Sequence, residues 1–130
     1  VSQGYKKYKQ TSIESAGREK LLLLLYEGAI RFTKRAIIAC DKGETVARCE
    51  NIGRAYDIIL ELMNTLDFKI GGEVAENLEQ LYMFMTEELT RANITGNKDH
   101  LNNVLKILET LYEGWKEAVE ILKKKDSKSA

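Results

Sequence analysis

Leu21-Leu22-Leu23-Leu24-Leu25-Tyr26-Glu27-Gly28-Ala29-Ile30-Arg31-Phe32-Thr33-Lys34-Arg35-Ala36-Ile37-Ile38-Ala39-Cys40 is the stretch whose reading decides the fold. At 100° per residue, Leu22, Leu25, Ala29, Phe32, Ala36 and Cys40 fall on one stripe. Leu23, Tyr26, Ile30 and Ile37 form a second stripe beside it. Glu27, Arg31, Lys34 and Arg35 occupy the far side, broken only by Ile38. An apolar stripe of this period with a charged back is an amphipathic helix, too long and too charged for a strand. The longest apolar run, Leu21 to Tyr26, is far short of the roughly 20 residues of a membrane span.

Glycines repeat this pattern along the chain. Gly43, Gly71-Gly72 and Gly96 divide it into four helical stretches, and proline is absent. The first runs from about Gly17 to Lys42. The second, from about Thr45 to Leu66, carries Cys49, Ile52, Tyr56, Ile59, Leu60 and Met63, widened by Ala55, Ile58 and Leu62. The third, from about Glu73 to Ile94, repeats at Val74, Leu78, Leu81, Met85, Leu89 and Ala92. The fourth starts near Lys98 and uses Leu101, Val104, Leu105, Leu108, Leu111, Tyr112, Trp115, Val119 and Leu122.

The punctuation between them fits. Gly43 suits a left-handed position after a helix, Asn97 an N-cap, and Glu73 and Glu76 the positive end of a helix dipole. Glu27–Arg31, Glu50–Arg54, Glu87–Arg91 and Glu120–Lys124 are spaced for intrahelical ion pairs. Short connections make neighbouring helices antiparallel. The expected fold is therefore all-α, an antiparallel up-down-up-down four-helix bundle with an extended N-terminal arm. Residues 1–16 form the arm, 17–125 the bundle and 126–130 a disordered tail.

Composition narrows function mainly by exclusion. The chain has 130 residues, 20 basic and 20 acidic side chains, and 44% hydrophobic content, which suits one packed domain. A net charge of zero gives no long-range attraction to nucleic acid or anionic membrane. Neutrality conceals a gradient, from +5 over residues 1–42 to −6 over 43–96 and +1 over 97–130. The first residues are polar and lysine-bearing, unlike a signal peptide, so the expected compartment is the cytoplasm. There Cys40 and Cys49 read as small buried thiols.

No catalytic constellation emerges. Two cysteines and one histidine do not make a zinc set, and Gly71-Gly72 leads into a glutamate that would repel a phosphate. The expectation is a protein with no enzymatic activity, cofactor or metal. One alternative uses His100 as the phosphoryl carrier of a histidine phosphotransfer bundle. Against it, lysine and glycine do not follow the histidine; Leu101, Asn102, Asn103 and Val104 do. A second alternative is a self-associating helical scaffold.

What remains is surplus apolar surface. Helix one is apolar over about half its circumference, and helix two is nearly as broad. A bundle helix needs a narrower stripe, and exposed apolar area of this kind marks a partner site. An amphipathic helix, or a segment that folds on binding, is the partner suited to a long apolar groove. Tyr5, Tyr8 and Ile13 on the arm could cover such a groove in its absence.

The arm sequence Tyr8-Lys9-Gln10-Thr11-Ser12-Ile13-Glu14-Ser15-Ala16 and the motif Leu24-Leu25-Tyr26-Glu27-Gly28-Ala29-Ile30-Arg31-Phe32 resemble the flagellar export chaperone family FliS. So do Ile58-Ile59-Leu60-Glu61-Leu62, Leu78-Glu79-Gln80-Leu81-Tyr82, Leu89-Thr90-Arg91-Ala92-Asn93 and Trp115-Lys116-Glu117-Ala118, in order and spacing. Where the family commonly has proline after the alanine, this chain has Gly17. The resemblance implies a cytosolic chaperone that binds the C-terminal segment of flagellin. It would prevent premature polymerisation and assist delivery to the flagellar type III export apparatus, with an export-gate protein and co-chaperones as further partners. The protein itself would be a monomer or weak homodimer.

On this reading Tyr8 and Ile13 anchor the arm, and Tyr26, Ile30, Ile37, Ile58 and Leu62 line the groove. Tyr82 and Phe84 are lesser contacts. Leu25, Phe32, Leu81, Leu108 and Trp115 are core.

Overall fold

The computed structural model describes the backbone of residues 3–129 and the side chains of residues 17–126. It contains four helices, α1 (Gln3–Lys42), α2 (Thr45–Asn64), α3 (Phe68–Thr95) and α4 (Lys98–Ser129). Among the described residues there is no strand. α1 packs on α2 and α4, and α3 packs on the same two. With linkers of two or three residues, this closes a ring of sequential antiparallel neighbours, the expected bundle.

The turns follow from local chemistry. Gly43, at φ 68°, ends α1 with its N–H donating to Cys40 O (3.2 Å), while Glu44 N donates to Ala39 O (2.9 Å). These are the two bonds of a Schellman motif. Gly96, at φ 71°, ends α3 with a single bond to Ala92 O. Asn97 Oδ1 then accepts from Asp99 N at 2.9 Å and caps α4 as expected.

Two helix starts differ from expectation. α1 begins at Gln3, not near Gly17, so the backbone between them is helical where an extended arm was expected. Proline would have removed a backbone donor and clashed with the preceding turn; Gly17 does neither. The side chains of the arm anchors Tyr8 and Ile13 lie outside the described residues. α3 begins at Phe68, because Asp67 Oδ1 accepts from Lys69 N and Ile70 N at 3.0 and 3.1 Å. That extra turn breaks at Gly72 (φ 50°, ψ −122°), a conformation only glycine adopts freely. Glu73 and Glu76 thus head the main part of α3.

The core takes α1 through Tyr26, Ala29 and Ala36, and α2 through Ile52, Ala55, Ile59 and Leu62. Leu78, Tyr82, Met85, Leu89 and Ala92 come from α3, and Leu101, Val104 and Leu108 from α4. The small residues set a close α1/α2 approach: a Cβ built on Gly28 would lie 3.1 Å from Ile58 Cδ1.

Several sequence assignments are corrected by this packing. Tyr26, Leu62 and Tyr82, expected in a groove, are at most 1% exposed. The two tyrosines are buried because their hydroxyls bond each other across the α1/α3 diagonal, which satisfies both polar tips. Leu81, expected in the core, is 36% exposed, and Val74 is 61% exposed. Leu78, Met85, Leu89 and Ala92 are buried as expected, while at the other two positions of the α3 stripe the next residues, Ala75 and Tyr82, are buried instead. Leu108 is core as expected, while Leu25, Phe32 and Trp115 are half-buried against it. Cys40 is half-buried and Cys49 exposed, so neither is a fully buried thiol.

None of the four expected i,i+4 ion pairs forms. Glu27 instead accepts from the Tyr112 hydroxyl at 2.6 Å. This bond, with partial burial, pushes the Tyr112 phenol up to about 12. The pairs present include Lys34–Glu109 and Lys98–Asp41, which join α1 to α4.

Candidate functional site

The two ends of the bundle are built from different chemistry. The Gly43 and Gly96 turns share one end, where Arg48 donates to Asn93 O (3.2 Å) and Lys98 Nζ meets Asp41 Oδ1 (2.8 Å). Just below, Glu88 of α3 is only 3% exposed. Its Oε2 takes His100 Nδ1 at 2.8 Å and Asn103 Nδ2 at 3.3 Å, and its Oε1 pairs with Arg91 at 3.3 Å. Burial alone would raise this carboxyl; the hydrogen bonds from His100 and Asn103, with the charges of His100 and Arg91, outweigh it and hold the group below its usual range. This buried polar clasp fastens α3 to α4.

The other end, around the α2–α3 connection, is open and apolar. Two adjoining pockets of about 480 and 380 Å³ lie there. Leu21 and Leu22 of α1, Leu66, and Ile70, Val74 and Leu78 of α3 form the walls, and Tyr82 and Trp115 lie deeper. Arg18 lines both pockets. Ile70 is 88% exposed, and Leu21, Leu24 and Phe68 are also open to solvent. Among the described residues, the indole N–H of Trp115 is buried without a hydrogen-bond partner. Burial pushes the neighbouring Tyr26 and Tyr82 hydroxyls above the usual phenol range, which keeps both neutral.

A second apolar surface runs along the α3/α4 seam. Leu81, Ile107 and Leu111 line a pocket of about 250 Å³ there. Phe84, 41% exposed, lies one turn from both Leu81 and Glu88 on the same side of α3.

The sequence-derived groove residues do not converge. Ile30 and Ile37 are half-buried on the flank of α1 whose neighbours Glu27, Lys34 and Asp41 reach α4. Ile58 packs under Gly28 on the α2 side. Of the expected contacts among the described residues, Phe84 is the one that is openly exposed.

A family model described as flagellar protein FliS matches residues 1–122. The flagellar secretion chaperone FliS of Campylobacter jejuni is 37% identical over 113 residues, covering 87% of this chain and 88% of its own. That of Salmonella typhimurium is 34% identical over 122 residues, covering 90% of each. The chain belongs to the FliS family. A solved structure titled as a flagellar chaperone from bacteria superposes with a TM-score of 0.79 at 19% identity, covering 91% of this chain and 96% of that one. At that identity it supports the fold, a four-helix bundle.

Membership in FliS changes the weight of the alternatives. His100, the one residue that suggested phosphotransfer, has its Nδ1 committed to Glu88, and nothing around it favours a phosphoryl carrier. Among the described residues, no helix is long and apolar enough to cross a membrane. Sequence reasoning missed the open end: Phe68 and Ile70 fell in the presumed loop between helices two and three. Asp67 ahead of Phe68 was the usable signal, an N-cap residue type where the next helix begins.

Proposed function

We propose that this FliS-family chaperone binds the C-terminal segment of flagellin as an amphipathic helix on its apolar surfaces. Holding that segment keeps flagellin from polymerising early and presents it to the flagellar export apparatus. Carrying this reading is the exposed apolar end formed by Leu21, Leu24, Ile70 and Val74. Four large aliphatic side chains clustered in solvent are unfavourable for a free bundle and suit a client that buries them. Phe84 and Leu81 offer a second contact surface along the α3/α4 seam, and the half-buried Ile30, Ile37 and Ile58, on the flanks of α1 and α2, would be lesser contacts. The arm, with Tyr8 and Ile13, completes the client site.

No catalytic group takes part. Binding energy comes from apolar burial, offset by the ordering of a disordered client, so contacts must be spread over its length. An export-gate protein and co-chaperones would meet the loaded complex on surfaces that the client leaves open.

The test is titration of a flagellin C-terminal peptide while its helicity is followed by circular dichroism. Binding at micromolar concentration with a gain in helix is expected. In the Ile70→Asp/Val74→Asp variant, affinity should fall at least tenfold while the fold is kept. Unchanged affinity would move the client away from this end.

A further inference from the structure

Phe32 sits half-buried on the α1/α2 seam, and three guanidinium groups converge on its ring. Arg31 lies 5.3 Å from the ring centroid, and Arg35 and Arg54 each 5.6 Å. One cation over an aromatic face is a common stabilising contact. Three are not needed to cover one ring. Arg31 and Arg35 are also four residues apart on one helix, where like charges destabilise it.

Among the described residues, no carboxylate compensates these charges. Glu27, spaced to pair with Arg31, accepts from Tyr112 instead. Glu50 and Asp57, each within a turn of Arg54, form no ion pair with it, and neither does Glu61 farther along α2. All three arginines are exposed. The molecule therefore displays three guanidiniums, stacked and held in place by Phe32, with their hydrogen-bonding edges unused.

The surroundings narrow the ligand. On the outer stripe of α1, Leu24 and Ile38 lie either side of Arg31 and Arg35, both about half exposed. Gly28, between Leu24 and Arg31, lets α2 come close, with Ile58 Cδ1 3.1 Å from where a Cβ would stand. A small anion would use the arginines and leave the aliphatic residues bare. A peptide carrying both chemistries would use all of them.

We propose that the α1/α2 seam is a docking surface for an acidic amphipathic helix of a protein partner. Two or three of its carboxylates, one turn apart, bind Arg31, Arg35 and Arg54, and its aliphatic residues rest on Leu24 and Ile38. The proposal does not rest on the flagellin reading, because the three arginines line neither pocket of the open end, and Leu24 alone borders both surfaces. It gives the chaperone a second surface, one that recognises charge.

The experiment uses fluorescence anisotropy of a fluorescein-labelled 18-residue helical peptide with glutamates at i, i+4 and i+7 flanked by leucines. Wild-type protein should bind it, and raising the salt from 50 to 300 mM should weaken binding several-fold. The Arg31→Gln/Arg35→Gln/Arg54→Gln variant, shown folded by circular dichroism, should lose at least tenfold in affinity. The single Arg54→Gln variant should lose a smaller factor, which keeps the test alive if the triple variant unfolds. Absence of binding to wild type at 1 mM protein would overturn the proposal. So would equal binding by the arginine variants, or by a peptide with glutamine in place of glutamate. Full displacement of the peptide by millimolar pyrophosphate would do the same, and would reassign the cluster to small anions.

Discussion

The turn-bearing end and the open end of this bundle use the same four helices to opposite purposes. At the first, polar groups are spent on one another: Glu88 on His100, Asn103 and Arg91, Lys98 on Asp41, and Arg48 on Asn93. At the second, Ile70, Val74, Leu21 and Leu24 are left in water. On the proposed function, the difference separates holding the fold from serving a client. Polar locks fix the helices at one end, so the other can keep apolar surface uncovered without the bundle splaying.

That contrast can be broken in order of expected effect. Tyr82→Ala should be the most damaging, about 3–5 kcal/mol, because it leaves a cavity under the open end and strands the Tyr26 hydroxyl. Urea unfolding would measure it, and a loss under 1 kcal/mol would mean that the open end has no structural floor. Glu88→Ala should cost about 1–3 kcal/mol by removing the hydrogen bonds that its buried carboxylate accepts from His100, Asn103 and Arg91, while flagellin-peptide affinity stays within twofold. A matching loss of affinity would show that the two ends are not separable.

Gly96→Ala should cost about 1–2 kcal/mol, since it places a side chain in the left-handed region. The new Cβ would also lie 2.7 Å from an Arg48 side-chain nitrogen, so Arg48 would have to shift. Thermal melting would report this as a drop of a few degrees. Lys98→Ala should leave the melting temperature nearly unchanged, because both partners of that ion pair are about half exposed.

The pH response sharpens the same contrast. The Glu88 carboxyl is held below its usual range in the folded state. Its stabilisation is therefore present above the unfolded carboxylate value, about 4.3, and is lost as pH falls through the lower folded value. Unfolding measured from pH 6 to pH 2.5 should show an acid loss that Glu88→Gln reduces. An identical acid profile in the variant would place that loss in other carboxylates.

The fold was legible because its signals are local. Gly43, Gly96 and Asn97 mark turns by their own backbone and side-chain chemistry, and the α1 stripe is set by spacing alone. The site was less legible because exposure depends on which neighbour arrives. On α3 the large aliphatic residues Val74 and Leu81 looked like core, yet Ala75 and Tyr82 are buried in their place. Alanine gives a weak hydrophobic signal, and a tyrosine is buried only when a partner meets its hydroxyl. Tyr26 is that partner, 56 residues away. The Glu88 clasp was invisible for the same reason, since its donors come from the next helix. Arg31 and Arg54 were assigned to intrahelical pairs that lose to the Phe32 ring, next in sequence to Arg31 and on the adjacent helix from Arg54.

Trp115 gives the open end a built-in optical reporter. It is the only tryptophan in the chain, and it lines the apolar pocket beside Leu22, Leu66 and Tyr82. Indole emission follows the polarity and mobility of its surroundings, so it responds when solvent leaves that pocket. A client entering there would shift the emission spectrum without any label, and one bound only along the α1/α2 seam would leave it still. The two docking modes can therefore be told apart in a single cuvette.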